Sequence, residues 1–162
     1  MPKPLPAFAT GGTRINRPPT GIKPMPNLQE AGFLVWQARH PGGTYPEYLV
    51  YWWLTVKQRY VEYADFWYQA SFGGGRTIKG GLIADYLLTF TRPKRTWLEV
   101  YGVAYHTSPV HRGPESLAAD IIRKKFAEKE KLQFIRCKDT DLLQRLDVTM
   151  RAAVNGHEIG DF

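Results

Sequence analysis

The fold is decided by two apolar runs that a short proline turn connects: residues 82–90 (LIADYLLTF) and residues 96–101 (TWLEVY), on either side of Arg92-Pro93-Lys94. Each run has the length of a strand and is rich in the branched and aromatic side chains that strands favour. Proline cannot continue a hydrogen-bond ladder, so the turn separates the two runs. The stretch therefore predicts a β-hairpin.

Each predicted strand carries one acid in an apolar setting, Asp85 in the first and Glu99 in the second. A carboxylate inside an apolar strand is costly unless it is paired or holds a metal. Counted from the turn, the two positions lie approximately opposite each other, so their side chains can share a face. Two converging carboxylates would suit Mg²⁺ or Mn²⁺. The alternative is that each acid pairs with a nearby cation such as Arg76, Lys79 or Arg95.

Upstream of the hairpin, residues 44–47 (TYPE) predict the start of a helix. Thr44 can cap it, a proline suits its first turn, and Glu47 completes a capping box. Apolar side chains at three- and four-residue spacing carry this helix to about Tyr60. The period then changes to two, which predicts a strand with an aromatic face as far as Gln69.

Downstream, the pattern predicts a helix from Pro114 to about Lys131, a short buried strand at 132–137 and a final helix at 139–154. The apolar face of the first of these helices is expected to consist of Leu117, Ile121, Ile122 and Phe126. A strand–helix–strand crossover implies one parallel pair of strands. The prediction is an α/β fold with a mixed central sheet of about four strands flanked by helices.

Residues 1–30 are predicted to form a separate arm, and residues 31–162 a single domain. The first 26 residues hold seven of the twelve prolines and four cations but no acid, which excludes a helix or a central strand there. Two interpretations are open. The arm is either a flexible tail or a basic segment that lies on nucleic acid or on a neighbouring subunit.

Composition narrows the class of partner. The net charge of +7 favours a polyanion such as nucleic acid, or an anionic membrane surface. The lone Cys137 lies in an apolar run, which predicts a buried, inert thiol and excludes a disulfide framework. No apolar stretch approaches the ~20 residues that span a bilayer, and no signal-peptide core is visible. A cytoplasmic protein, or a component of an assembled virus particle, is expected.

A cationic run that begins on the helix predicted from Pro114 is the candidate for phosphate contacts. Between residues 123 and 138 the chain has seven cations and two acids. The run is either a nucleic-acid contact or an ordinary solvated helix face. The residues expected to touch phosphates are Arg123, Lys124, Lys125 and Lys129.

Taken together, residues 80–86 (GGLIADY) and 98–102 (LEVYG) resemble the PD-(D/E)XK nuclease superfamily, whose signature is an Asp on one strand and Glu-X-Lys on the next. The order of elements is similar from about Pro46 to Cys137. With TYPE at 44–47 and GVAYH at 102–106, the chain looks most like the very-short-patch repair endonucleases and their restriction-endonuclease-like relatives.

The resemblance implies a restriction-endonuclease-like αβββαβ core and a Mg²⁺- or Mn²⁺-dependent DNA endonuclease. Asp85 and Glu99 would be its metal ligands, Glu47 an acid directed at the metal or its water, and His106 the residue that transfers the proton. Glu47 could equally be a plain capping residue. One departure matters, because Tyr101 stands where the superfamily has its lysine.

Three hypotheses follow from that departure. His106 or a relocated lysine, with Lys124 among the candidates, substitutes for the missing cation and the protein cuts DNA. Alternatively, the fold has lost cleavage and serves as a structural component of a nucleoprotein, virion or phage assembly, tethered by its arm. An RNA-processing nuclease is the third hypothesis, and a membrane partner is not expected.

Overall fold

The computed structural model describes residues 27–72, 82–102 and 114–159, with side chains over 31–72, 82–102 and 118–159. Within these ranges the chain forms four α-helices and four strands. In chain order they are α1 (Asn27–Arg39), α2 (Tyr45–Trp52), β1 (Phe66–Phe72), β2 (Leu82–Leu88), β3 (Thr96–Tyr101), α3 (Pro114–Lys129), β4 (Gln133–Lys138) and α4 (Asp139–Val154). The predicted α/β class is confirmed. The predicted arm lies outside the described residues up to 26.

The four strands form one mixed sheet in the order β1-β2-β3-β4. The first three strands pair antiparallel, which confirms the predicted hairpin of β2 and β3. Strand β4 pairs parallel with β3 after the crossover through α3, as predicted.

Helices cover both faces of the sheet. On one face, α2 and α4 pack on a cluster that includes Phe66, Tyr86 and Leu98. On the other face, Ala127 and Phe126 of α3 join a cluster around Trp97. Cys137 is buried as predicted, and burial raises the pKa of its thiol to about 12, so it stays protonated at neutral pH.

The capping box predicted for α2 is present. The Glu47 backbone N–H donates to Thr44 Oγ1, and the Thr44 N–H donates to the Glu47 carboxylate at 2.6 Å. The helix does not run to Tyr60: a π-helical turn over Trp53–Lys57 ends it. In that turn the Trp53 indole donates to Asp147 of α4.

Three further sequence-based expectations are wrong. The aromatic strand begins at Phe66 rather than near Tyr60, because 61–65 form a turn. The arm expected over 1–30 extends too far, because helix α1 already begins at Asn27. Ile121 and Ile122 are exposed, because α3 rests on the sheet through Phe126 and Ala127.

Candidate functional site

Four polar side chains occupy one row across the sheet. Gln69 of β1 lies opposite Asp85 of β2, between the pairs 68–86 and 70–84. One step beyond the last β2–β3 pair, the register brings Asp85 opposite Glu99, and Glu99 pairs with Arg136 of β4. The residues next to this row on the same strands are mostly apolar. The row therefore forms a polar stripe across the sheet.

The two acids meet where the β2–β3 ladder stops. Backbone pairing ends at Tyr86 and Leu98, and carboxylates take over as acceptors. The Val100 N–H donates to Asp85 Oδ2 at 2.8 Å, and the Asp85 N–H donates to Glu99 Oε2 at 3.4 Å. Each carboxylate is therefore held against the backbone of the opposite strand, and the predicted juxtaposition of the two acids is confirmed.

The row also marks a change of face. Tyr86 packs in the cluster beneath α2 and α4, yet Ala84, two residues earlier, packs in the cluster beneath α3. Strand alternation would keep residues two apart on one face, so the alternation breaks at Asp85. Its neighbour Gln69 has φ +53, in the left-handed region that a non-glycine residue rarely adopts. This local twist brings Asp85 into contact with both sides of the sheet.

Burial governs the charge of Asp85. It raises the pKa of Asp85 well above the usual range, and the adjacent Glu99 carboxylate raises it further. The Val100 N–H and the Arg123 guanidinium act in the opposite direction but more weakly. A buried carboxyl in this position keeps a proton unless a cation compensates its charge.

Glu47 stands on the α2 side of Asp85. Its place is fixed twice, by the capping box and by the Tyr86 hydroxyl, which donates to the Glu47 carbonyl at 2.7 Å. Burial raises the pKa of its carboxyl, and the Asp85 charge adds to the effect. Glu47 is thus a capping residue and also a neighbour of the acid pair, so the two interpretations of this residue are compatible.

Arg123 of α3 supplies the cation on the other side. Its Nε lies 3.5 Å from Glu99 Oε1, and its Nη1 lies 3.4 Å from Asp120. The contact to Glu99 is an ion pair without hydrogen-bond geometry, and Oε1 is buried with no hydrogen-bond donor among the described residues. Buried acceptors are normally satisfied, so this oxygen is a candidate ligand atom.

Two cavities flank Asp85, which lines both. The first, of about 200 Å³, lies between β3, β4 and α3 and is lined by Glu99, Tyr101, Arg123 and Arg136. The second, of about 380 Å³, lies on the α1–α2 side and is lined by Glu47, Gln69 and His40 among others. The Asp85 side chain lies between the two cavities and separates them.

The donor set fits a small divalent cation held by few protein ligands. Within the described ranges no group of three or more His, Cys, Asp or Glu side chains is arranged around a common metal position. Mg²⁺ does not need one, because it keeps several waters and binds through one or two carboxylates. Asp85 and Glu99 supply that number, and the unsatisfied Glu99 Oε1 is the atom with spare capacity.

The cation that pairs with Glu99 is not one of the three expected from the sequence, which were Arg76, Lys79 and Arg95. Arg123, expected as a phosphate contact, lies against Glu99, whereas Arg95 is exposed in the turn before β3. Lys124, a candidate for the relocated lysine, is exposed and lines neither cavity. The same is true of Lys125 and Lys129. His106, Arg76 and Lys79 lie outside the described residues.

Sequence reasoning missed Gln69, Arg136 and His40. Gln69 carried a signal, since it is the polar interruption of an aromatic run, but its partner depended on a register that only the folded hairpin supplies. Arg136 is held by Glu158 through two side-chain hydrogen bonds of 2.8 and 3.0 Å. His40, in the loop after α1, gave no sign of its proximity to Asp85.

Comparisons with known proteins give no information about this site. No protein-family model, no curated protein and no solved structure matches this chain. Among the described residues, no helix is both long and apolar enough to cross a bilayer.

Proposed function

We propose that this protein is a metal-dependent phosphodiesterase that hydrolyses DNA, with Mg²⁺ or Mn²⁺ held by Asp85 and Glu99. One observation carries the proposal: two carboxylates meet at the end of the β2–β3 ladder, where one of their oxygens is buried without a hydrogen bond from any residue that the structure describes. The cation between them would relieve the repulsion that raises the pKa of Asp85.

The chemistry divides between the ion and the chain. A bound Mg²⁺ would polarise the phosphate and lower the pKa of a coordinated water. The chain holds Asp85 in place through the Val100 N–H and the Gln69 amide, which donates to Oδ1 at 3.4 Å. Glu47 reaches Asp85 from the second cavity; its carboxyl pKa, raised by burial, would suit a group that takes up a proton from the attacking water by way of Asp85.

Arg123 has two roles in this proposal. In the absence of substrate it balances the charge of Glu99 and Asp120. With a phosphate in the first cavity, its guanidinium would bind a phosphate oxygen, for which its planar fork is suited. Lys124, Lys125 and Lys129, exposed on the same helix, would contact phosphates further along the strand.

A second candidate function rests on Tyr101. This residue lines the first cavity where the resemblance calls for a lysine. Without that ammonium group the negative charge that develops at the phosphate has one stabilising cation fewer. The alternative is a catalytically inactive nuclease fold in a nucleoprotein or virion assembly, with binding retained and the N-terminal arm as tether.

The test is cleavage of supercoiled DNA, single-stranded DNA and RNA with Mg²⁺, Mn²⁺ or EDTA. The variants Asp85→Asn and Glu99→Gln remove one charge each and keep the side-chain shape. Glu128→Gln, on the exposed face of α3, removes an acid that lines neither cavity and is the matched control. The proposal requires metal-dependent cleavage that both site variants lose and the control keeps.

The result also separates the two functions. A wild-type protein that cuts none of the three substrates, yet binds DNA with an affinity that falls steeply with salt, supports the assembly component. RNA cleavage without DNA cleavage would keep the chemistry and change the substrate.

A further inference from the structure

The second cavity has the size of a small-molecule site and an unusual lining. Its volume of about 380 Å³ lies within the roughly 300–1,000 Å³ typical of ligand pockets. Aromatic rings and hydrogen-bond acceptors dominate its described walls: His40, Tyr63 and Tyr68, with Glu47, Glu62 and Asp85. None of these residues except Glu47 and Asp85 has a part in the proposed chemistry.

The turn that carries Glu62 and Tyr63 is held firmly. The Val61 N–H donates to the Asp65 carboxylate and the Tyr63 N–H to the Phe66 carbonyl, both at 2.8 Å. Thr89 at the end of β2 donates to the Asp65 carbonyl at 2.9 Å. The cavity wall is therefore preorganised rather than a loose loop, which lowers the entropic cost of binding.

Tyr63 is held in an unfavourable conformation at the rim. Its φ is +67, in the left-handed region, and its side chain is 70% exposed. A large aromatic residue gains nothing from either condition in an isolated domain, and strain of this kind is concentrated at ligand sites. An exposed ring beside a cavity is a surface on which a flat ligand can stack.

Two side chains of the lining, His40 and Glu62, present hydrogen-bond acceptors. His40 Nδ1 lies 2.9 Å from the Trp36 carbonyl, which can only accept, so Nδ1 carries the proton and Nε2 of the neutral ring is an acceptor. The Tyr51 hydroxyl donates to Glu62 Oε1 at 2.9 Å, and among described residues no donor reaches the other oxygen of that carboxylate. A ligand that contacts these two groups must bring donors.

We propose that the second cavity binds a nucleobase with an exocyclic amino group, next to the phosphate held in the first cavity. Its ring stacks on Tyr63, and its amino group donates to the Glu62 carboxylate. The exocyclic amino group of cytosine, adenine or guanine meets this requirement. Thymine and uracil have only N3–H as an edge donor, and the carbonyl oxygens on either side of it would face the carboxylate. The inference rests on the proposed function for its substrate class, because Asp85 lines both cavities and so joins a base site to a phosphate site.

The test is binding, so it does not depend on cleavage. Glu99→Gln, whose side chain lines the first cavity and not the second, is used in EDTA to prevent hydrolysis, after its melting temperature has been compared with wild type. Fluorescence anisotropy then measures affinity for single-stranded oligo-dC and oligo-dU of equal length, two ligands that differ at the amino group. We expect dC to bind about tenfold more tightly than dU, as for a good base-edge contact.

Two further changes in this background separate the roles of ring and carboxylate. Glu62→Gln should bring the dC preference below about twofold, since a carboxamide can serve either base. Glu128→Gln should leave it unchanged. Tyr63→Ala should weaken both oligonucleotides about tenfold without changing the preference, and Tyr63→Phe should not.

Each way in which the proposal can fail gives a different experimental result. Equal binding of dC and dU, or a preference that survives Glu62→Gln, overturns the base site whether or not wild-type protein cuts DNA. A dC preference in a protein that never cleaves keeps the base site and removes the proposed function. A Glu62→Gln variant that loses Mg²⁺-dependent stabilisation while the preference stays would make this cavity a cation site instead.

Discussion

Asp85 should limit the stability of the protein at neutral pH, and Asp85→Asn should relieve that limit. In the folded chain, burial and Glu99 raise the pKa of Asp85 well above its usual range. The unfolded chain releases this proton near pH ~3.9. Between that pH and the folded pKa, the folded state binds the extra proton. The free energy of unfolding therefore falls as pH rises.

The magnitude follows from linkage. For one group the loss is about 1.4 kcal/mol per pH unit across this window. The asparagine side chain has no charge to bury, and its amide oxygen can still accept the Val100 N–H that Asp85 Oδ2 accepts at 2.8 Å. The free energy of unfolding of the variant should therefore increasingly exceed that of wild type as pH rises above ~4. For a domain of this size each kcal/mol corresponds to roughly 2–4 °C in melting temperature.

Divalent metal should reduce the stability difference between wild type and Asp85→Asn. Metal ligation needs the ionised carboxylate, so Mg²⁺ should stabilise the wild type more strongly as pH rises. At tenfold excess over its dissociation constant the gain is about 1.4 kcal/mol. The Asp85→Asn variant should show little of this stabilisation by Mg²⁺.

The assay is denaturant unfolding followed by tryptophan fluorescence, from pH 4 to 8, with EDTA or Mg²⁺. Glu128→Gln is the control for removal of an exposed acid. The reasoning is refuted if wild type and Asp85→Asn lose stability in parallel as pH rises. An equal Mg²⁺ effect on the two proteins would refute the metal site separately.

Three further predictions concern the surroundings of the acid pair. Arg123→Gln removes the cation 3.5 Å from Glu99, so the rate of metal-dependent cleavage should fall at least about tenfold, while Lys131→Gln, in the exposed turn after α3, should have no such effect. Tyr101→Lys should raise the cleavage rate about tenfold or more by adding an ammonium group to the first cavity, and an unchanged rate would show that Arg123 already supplies the charge. Tyr86→Phe removes a buried hydroxyl that donates to the Glu47 carbonyl, so denaturant unfolding should show a loss of about 1–2 kcal/mol, with no comparable loss in Tyr63→Phe.

The elements of the fold followed from local patterns where those patterns were complete. The last helix, Asp139–Val154, and the strand Thr96–Tyr101 have the predicted bounds because flanking turns and a change of period define both ends. Strand β1 was misplaced because aromatic and polar residues alternate through 60–69, a pattern that a turn can share. The exposed Ile121 and Ile122 show that the docking angle of α3, which periodicity does not specify, decides which apolar residues are buried.

The candidate site followed from the sequence in part. An acid in each of two adjacent apolar strands is a local anomaly, and the short turn between them limits the register, so the pairing of Asp85 with Glu99 could be predicted. The partner of Glu99 could not, because Arg123 comes from a helix more than twenty positions away whose rotation is set by packing. The same holds for His40 and Gln69, which reach Asp85 only through the folded sheet and its local twist.

The sequence by itself determined the class of fold, the capping box of Thr44 and Glu47, the buried thiol and the two acids of the hairpin. These depend on neighbours close in the chain, where spacing fixes geometry. The tertiary structure alone decided the polar row across four strands, the arginine beside Glu99 and the two cavities that share Asp85. Those depend on strand register, on the break in alternation at Asp85 and on how helices rest on the sheet, and packing of residues distant in sequence sets all three.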